Sequence, residues 1–347
     1  MQKIIDSHVH IKGWGERDLV SCFDDYMAEK VETVNTCAIP LAQSNAANNI
    51  LLALYKLARP KTYAHGGIEL IEIPIDNMPA GMDAVTQYHE LMDVGFDGIK
   101  MLEGKPTEHK RIGKNLNHPV LNALYRELER DGTHLLMHVN DPDEFWDLDR
   151  APDWAIKCGW TYTDGTYASY REIQNQTIRI LEEHPRLNVT LAHLFFSAKE
   201  PELLVEMLAK YPNLALDLTA GGEMYVAFEA NYDYYRDFFH RYADRLIFGT
   251  DRSYHGDKKY ADWLFHVVTT FLATSDTVMS FDNKPLKGLG LPKEKKDAIL
   301  YANFEDRVGK EPKPIDKEKL KAYIEKYSFA LSEEDKERIK PLAERYL

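Results

Sequence analysis

Cysteine, basic charge and long apolar runs are all in short supply in this chain, and each shortage closes off a class of function. Three cysteines, Cys22, Cys37 and Cys158, occur in 347 residues, an odd and unclustered set. Such a set does not build a disulfide framework and reads as reduced thiols in a cytoplasmic protein. Lys and Arg number 43 against 56 Asp and Glu, a formal net charge of −13. Nucleic-acid binding needs a basic surface, so no nucleic-acid partner is expected. No stretch reaches the roughly 18 consecutive apolar residues that a membrane span requires. Met1-Gln2-Lys3 leads directly into a strand-like run, so no signal peptide is expected either. Without secretion, the glycosylation triplets at Asn175 and Asn188 carry no weight. The chain also lacks a His-Glu-x-x-His helix, a Cys-x-x-Cys pair and a Walker loop. Gly288-Leu289-Gly290 has no third glycine and no preceding strand, and reads as a turn.

What is present is a repeated order of strand and helix, with 44% apolar residues, enough for a large core. Strand patterns run over 3–10, 33–41, 62–71, 95–102, 134–139, 188–194, 214–220 and 245–251. Helical patterns lie between them, among others over 18–30, 46–57, 82–94, 119–130, 170–183, 201–211 and 224–243. Eight strands with intervening helices predict an α/β protein with a parallel sheet, and eight closes a (β/α)8 TIM barrel. A doubly wound open sheet shares the alternation. Against it, the first strand–helix turn has no glycine-rich phosphate loop, and polar strand ends are spread along the whole chain. The barrel domain is read as 1–311. It includes an aromatic insertion at 141–168, with Phe145, Trp146, Trp154, Trp160, Tyr162 and Tyr167, placed to cover the pocket. The Lys- and Glu-rich stretch 312–347 reads as a C-terminal helical extension that packs on the barrel's outside or on a second copy in a homodimer.

Four strand-like runs end in metal-ligand residues. Asp6-Ser7-His8-Val9-His10 comes first; side chains alternate along a strand, so His8 and His10 share a face about 6–7 Å apart. His138 ends the fifth strand, and His134 lies about 13 Å lower on the same face, where a structural role is expected. His193 ends the sixth strand and reads as an acid or base beside the metal. Asp251 follows Gly249-Thr250 at the end of the eighth. A carboxylate there can bind the metal and accept a proton from water, although a helix N-cap is the commoner use of aspartate. Neutral imidazoles with a carboxylate suit one divalent metal, zinc, with a position left open for water.

Lys100, in Gly98-Ile99-Lys100-Met101, needs a reason to sit in an apolar strand. It can bind an anionic substrate group, bridge a second metal after carbamylation, or form a structural ion pair. Arg252 and Tyr254 are further candidate substrate contacts, as are Trp146 and Trp160 of the insertion. The other histidines fall at helical or loop positions or carry no ligand pattern; His65, at a strand end, merits attention.

The motif Asp6-Ser7-His8-Val9-His10, the strand-end His138 and His193, and Gly249-Thr250-Asp251 together resemble the amidohydrolase superfamily. More narrowly, they resemble its branch that includes aminocarboxymuconate-semialdehyde decarboxylase. Ile299-Leu300-Tyr301-Ala302-Asn303-Phe304 is similar to the segment closing that domain, and the insertion from Phe145 to Tyr167 is similar to one in other members. The resemblance spans roughly 1–309. It implies a metal-dependent barrel in which His8, His10, His138 and Asp251 hold one divalent metal and His193 acts beside it. The branch contains hydrolases, non-oxidative decarboxylases and a hydratase, so it speaks to the site more than to the reaction. The expectation is hydrolysis of a small, anionic or neutral amide, ester or lactone; decarboxylation or hydration of an unsaturated or aromatic acid is the alternative.

Overall fold

The computed structural model describes residues 3–11, 31–39, 44–219, 222–253, 258–281 and 283–347. The expected helix at 18–30, Cys22 and Tyr254 lie outside them.

The strands are buried along their length because both faces are covered, one by helices and one by the barrel interior. β1 (Ile5–His10), β4 (Gly98–Gly104) and β5 (His134–Val139) are buried at every position. β2 (Thr33–Cys37), β3 (Tyr63–Gly66), β6 (Val189–Leu191), β7 (Leu214–Asp217) and β8 (Leu246–Ile247) complete the set. Every neighbouring pair is parallel and follows chain order, from β8 back to β1. The chain leaving β8 then reaches β1 through β9 (Arg252–Ser253), with Val9 opposite Arg252 and His10 opposite Ser253. Asp251 N–H donates to the His8 carbonyl at 2.8 Å and Ser7 N–H to the Phe248 carbonyl at 3.2 Å, which closes the ring. The architecture is the (β/α)8 barrel that the strand count predicts.

Its helices are made by ordinary amphipathic spacing. Pro119–Asp131, for example, buries Leu121, Leu124, Tyr125 and Leu128, an i, i+3, i+4, i+7 stripe, and ends at Gly132 with φ 68°. The barrel interior is layered. Ile5, Tyr63, Ala215, Ile247 and Phe304 pack at the strands' N-terminal end. Cys37, Leu136 and Ala192 pack nearer the C-terminal end. Between them runs a polar chain: Asn35 Oδ1 to His65 Nδ1 at 2.8 Å, His65 Nε2 to His134 Nδ1 at 2.8 Å, and His134 Nε2 to Thr190 Oγ1 at 2.7 Å. Gly98 makes room for it, since a Cβ there would stand 2.4 Å from His65 Nε2.

The second, sixth, seventh and eighth strands are shorter than expected, and three further elements differ. The third strand stops at Gly66, after which Glu69 takes over: its carboxylate accepts from Ala46, Ile71 and Glu72 N–H groups, and a turn replaces the ladder. The helical run 224–243 is two helices, Gly222–Ala230 and Tyr232–Tyr242, parted at Asn231. A small antiparallel pair, Thr277–Met279 with Pro285–Lys287, lies after the barrel strands. The insertion after β5 forms a 3-10 turn, Asp143–Trp146, and a short helix, Asp153–Lys157, around its own cluster of Phe145, Ala155 and Tyr162. The terminal helices Lys317–Lys326 and Glu333–Tyr346 lie on the barrel's flank. Tyr323 meets Asn49 at 2.9 Å and Tyr327 meets Glu90 at 2.9 Å.

Candidate metal centre

At the C-terminal mouth, His8, His10 and Asp251 bring one ligand atom each to within 4.8 Å of one another. Strand alternation supplies the two imidazoles, and the turn after β8 supplies the carboxylate with a left-handed φ of 51° at Asp251. Such a conformation costs a non-glycine residue about 1–3 kcal/mol and is held only where its surroundings enforce it. Here Asp6 enforces it. Its Oδ1 accepts from Thr250 N–H at 3.0 Å and its Oδ2 accepts from the Thr250 hydroxyl at 2.6 Å, stapling β1 to the turn. Burial pushes the Asp6 carboxyl up to about 7, against those hydrogen bonds.

Each ring is oriented by its other nitrogen. His8 Nδ1 faces Asp217 Oδ2 at 2.9 Å, and His10 Nδ1 faces the Cys37 carbonyl at 2.8 Å. Because carboxylate and carbonyl oxygens only accept, both Nδ1 atoms carry the proton and both Nε2 lone pairs point inward. His10 Nε2 lies 3.0 Å from Asp251 Oδ1, and His8 Nε2 lies 3.7 Å from the same oxygen. An imidazole lone pair and a carboxylate oxygen at 3.0 Å repel unless positive charge, a proton or a metal ion, sits between them. His8 Nε2 is likewise met by a cation, the Lys100 ammonium at 3.0 Å. Burial pulls the Lys100 pKa down and, with the Lys100 charge, holds His8 down at about 3. Despite burial, the hydrogen bond from His8 and the surrounding positive charge and hydroxyl keep Asp217 at about 2. Neutral imidazoles beside ionised carboxylates form a donor set that fits a divalent metal.

His193 stands beside this cluster, its Nε2 3.8 Å from Asp251 Oδ2. β6 ends early, and His193 opens a left-handed turn in which residues 193–196 all have φ between 49° and 59°. Asp217 again holds the strained backbone, its Oδ1 accepting from His193 N–H at 2.7 Å. The Thr219 hydroxyl also donates to Asp217 and takes the His193 Nδ1 contact at 3.1 Å. His193 Nε2 is buried and has no hydrogen-bond partner among the described residues. It is the open valence of the site.

The remaining predicted residues are more dispersed. His138 packs edge-on against His193, ring centroids 4.8 Å apart, and turns its Nε2 to the Asn140 carbonyl at 2.8 Å. It stands one ring away from the three-residue cluster. Lys100 is in the centre, against His8. Arg252 is on β9, half-buried beside β1. Trp146 belongs to the insertion's own packing, its indole N–H donating to the Ala168 carbonyl at 3.0 Å and its ring against Tyr162. Trp160 is on the insertion's exposed side, under Lys105 Nζ at 4.4 Å and near Trp154.

Sequence reasoning missed Asp217, which orients two histidines at once. The signal was available: it ends an alternating strand, Leu214–Asp217, at the same mouth. It also missed Asp141, which accepts from Lys105 at 2.6–2.7 Å and from the Tyr162 hydroxyl, and lies 3.6 Å from His138 Nε2. Beyond His193 a narrow pocket of about 10 Å³ opens toward a cleft of about 700 Å³ under the insertion.

Comparison with known proteins agrees with the barrel fold. A family model described as Amidohydrolase matches residues 75–305, more than half of the chain. No curated protein matches the chain. An uncharacterized TIM-barrel protein from Bordetella bronchiseptica is 18% identical with a TM-score of 0.54, over 89% of this chain and 100% of that one. A probable 2-pyrone-4,6-dicarboxylic acid hydrolase from Acinetobacter baumannii, with citric acid bound, is 12% identical with a TM-score of 0.53, over 88% and 99%. A 2,6-dihydroxybenzoate decarboxylase in complex with 2,6-dihydroxybenzoate is 14% identical with a TM-score of 0.50, over 89% and 99%. At these identities the likeness is one of fold.

Proposed function

This chain belongs to the amidohydrolase family, and from that premise we propose that it is a metal-dependent hydrolase of a small amide, ester or lactone. The observation that carries the reading is the 3.0 Å approach of His10 Nε2 to Asp251 Oδ1, with the Nδ1 protons of both His8 and His10 committed elsewhere. His8, His10 and Asp251 would hold one divalent ion, zinc, with His138 as a further donor. When bound, the ion supplies Lewis acidity and lowers the pKa of water toward about 7. Asp251 accepts the proton of the attacking water. His193, whose Nε2 is uncommitted and 3.8 Å from Asp251 Oδ2, would take that same proton on from Asp251 and deliver it to the leaving atom as the bond to the acyl carbon breaks, which returns both residues to their starting state. Lys100 and Arg252 serve the substrate's polar end, and Trp146 and Trp160 act through the insertion that covers the pocket. The setting is a cytoplasmic, homodimeric enzyme acting on a small molecule; among the described residues no helix is long and apolar enough to cross a membrane.

The test has two parts. Metal analysis of the purified chain is expected to find about one zinc per chain, and Asp251→Asn with metal retained is expected to lose most turnover on a panel of amides, esters and lactones. Unchanged turnover in that variant overturns the assignment of Asp251. Carbon dioxide release from aromatic acids with no hydrolysis of the panel replaces the reaction with decarboxylation.

A further inference from the structure

Glu223 lies outside the metal cluster and none of the chemistry above uses it. It lies in the first turn of the helix Gly222–Ala230, and although the residue is partly exposed, its Oε1 is buried with no hydrogen-bond partner among the described residues. Leaving a carboxyl oxygen buried and unmatched is unfavourable, and a bound ligand would remove that cost. Glu223 lines both the cleft of about 700 Å³ and the narrow pocket that holds His193. Glu144 and Lys199 line both cavities too, so the three side chains frame the passage between them. The narrow pocket, about 10 Å³, has room for roughly one water. Two buried, unpartnered polar atoms, His193 Nε2 and Glu223 Oε1, thus belong to side chains that face one small space.

The other charges at the passage are spent on each other. Lys199 Nζ contacts Asp143 Oδ1 at 3.2 Å and Glu144 Oε2 at 2.7 Å. An anionic ligand entering here meets a lysine already neutralised by two carboxylates, and a third carboxyl beside it. A ligand with an N–H group meets an acceptor without a partner. The cleft's outer wall carries Phe145, Trp154 and Phe281, which suit an apolar or aromatic body.

We propose that Glu223 is a specificity-determining residue that accepts a hydrogen bond from a substrate N–H, so that the substrate class is an uncharged amide with an apolar or aromatic body. The body would rest in the cleft with the N–H facing Glu223 at its edge, and the amide carbonyl would point into the narrow pocket, where the one water it has room for would bridge to His193. This inference rests on the hydrolase reading and narrows it from amide, ester or lactone to amide.

A matched pair of probes tests it without turnover. Benzamide and methyl benzoate have similar shape, and only the first carries an N–H donor. Ligand-observed NMR titration of the full chain with zinc present is expected to show benzamide binding at least about fivefold tighter than methyl benzoate, and tighter than benzoate. Glu223→Ala is expected to abolish the preference, whereas Glu223→Gln, which keeps an acceptor oxygen and the side chain's shape, retains it. Equal binding of the pair to the unaltered chain, absence of benzamide binding, or a preference that survives Glu223→Ala overturns the inference. Zinc content is measured on the same samples. Zinc bound without the preference sinks this inference alone. The preference without zinc sinks the hydrolase reading and leaves Glu223 as the donor-selecting contact.

Discussion

One barrel interior holds two sets of buried histidines, and they are arranged in opposite ways. In the lower set, protons run in one direction: His65 Nδ1 donates to Asn35, His134 Nδ1 donates to His65 Nε2, and the Thr190 hydroxyl closes the chain on His134 Nε2. Every ring nitrogen has a protein partner of the right kind, and no positive charge is needed. In the upper set, His8 and His10 each anchor Nδ1 on an acceptor and aim Nε2 at Asp251. Those lone pairs require a cation. Burial alone does not separate a ligand from a packing residue, since both sets are buried; the charged groups that face the upper nitrogens do, the Lys100 ammonium at His8 Nε2 and the Asp251 carboxylate at His10 Nε2.

The comparison breaks most sharply if the two sets are emptied in turn. Changing His8 and His10 together to Ala is expected to abolish stoichiometric zinc binding and lower turnover at least about a thousandfold, with far-UV circular dichroism unchanged. Zinc retained at one per chain in that variant would place the metal elsewhere. The anchor beneath His8 gives a smaller effect of the same kind. Asp217→Asn keeps an acceptor for His8 Nδ1 but removes the charge, and zinc affinity is expected to fall about 10–100-fold in competition with a chelator.

Acid sharpens the contrast through linkage. Burial lowers His134 to about 3 and His65 well below its ordinary value, so the folded state binds fewer protons than the unfolded chain below about pH 6.5. The stability these rings contribute is complete above that pH and is lost as pH falls toward 3. Asp6 and Glu103, both pushed up to about 7 by burial, work the other way: their contribution is present below about pH 4 and lost as pH rises through 7. Replacing His134 by Asn isolates one ring. Its melting temperature is expected to fall less steeply between pH 6.5 and 4 than that of the unaltered chain, and zinc binding at pH 7.5 should be unaffected. An unchanged slope would remove the lower set from the acid response.

Much of this was legible in the sequence, and the limits have physical causes. Alternation placed His8 and His10 on one face, and the order of strands brought Asp251 and His193 to the same mouth. The strand rule failed where a side chain displaced the ladder, as Glu69 does after Gly66. It could not show the left-handed turn at 193–196, which Asp217 stabilises from the next strand. His134 was read as structural from its depth, and it sits in the lower chain. The partner His65 was noticed without a role, because its role depends on Asn35 and His134 from two other strands. Glu223 gave no signal at all: an acidic residue near a helix start is ordinary, and only the cavities on either side distinguish it.

The smallest expected effect comes from the end of the lower chain. Thr190→Val keeps the β-branched shape and removes the hydroxyl, so His134 Nε2 keeps its lone pair in a buried place with nothing to accept from. The cost is that of one unsatisfied buried acceptor, about 1–3 kcal/mol, read as a shift in the midpoint of urea unfolding at constant slope. Zinc stoichiometry is expected to be unchanged, since no bond of the upper set passes through Thr190. If the stability loss were absent, the ring would have found another donor, and the lower histidines would be less fully committed than their hydrogen bonds indicate. If zinc were lost instead, the two sets would be one coupled network, and the distinction between a nitrogen met by a neutral partner and one met by a charged group would have to be drawn for the barrel interior as a whole.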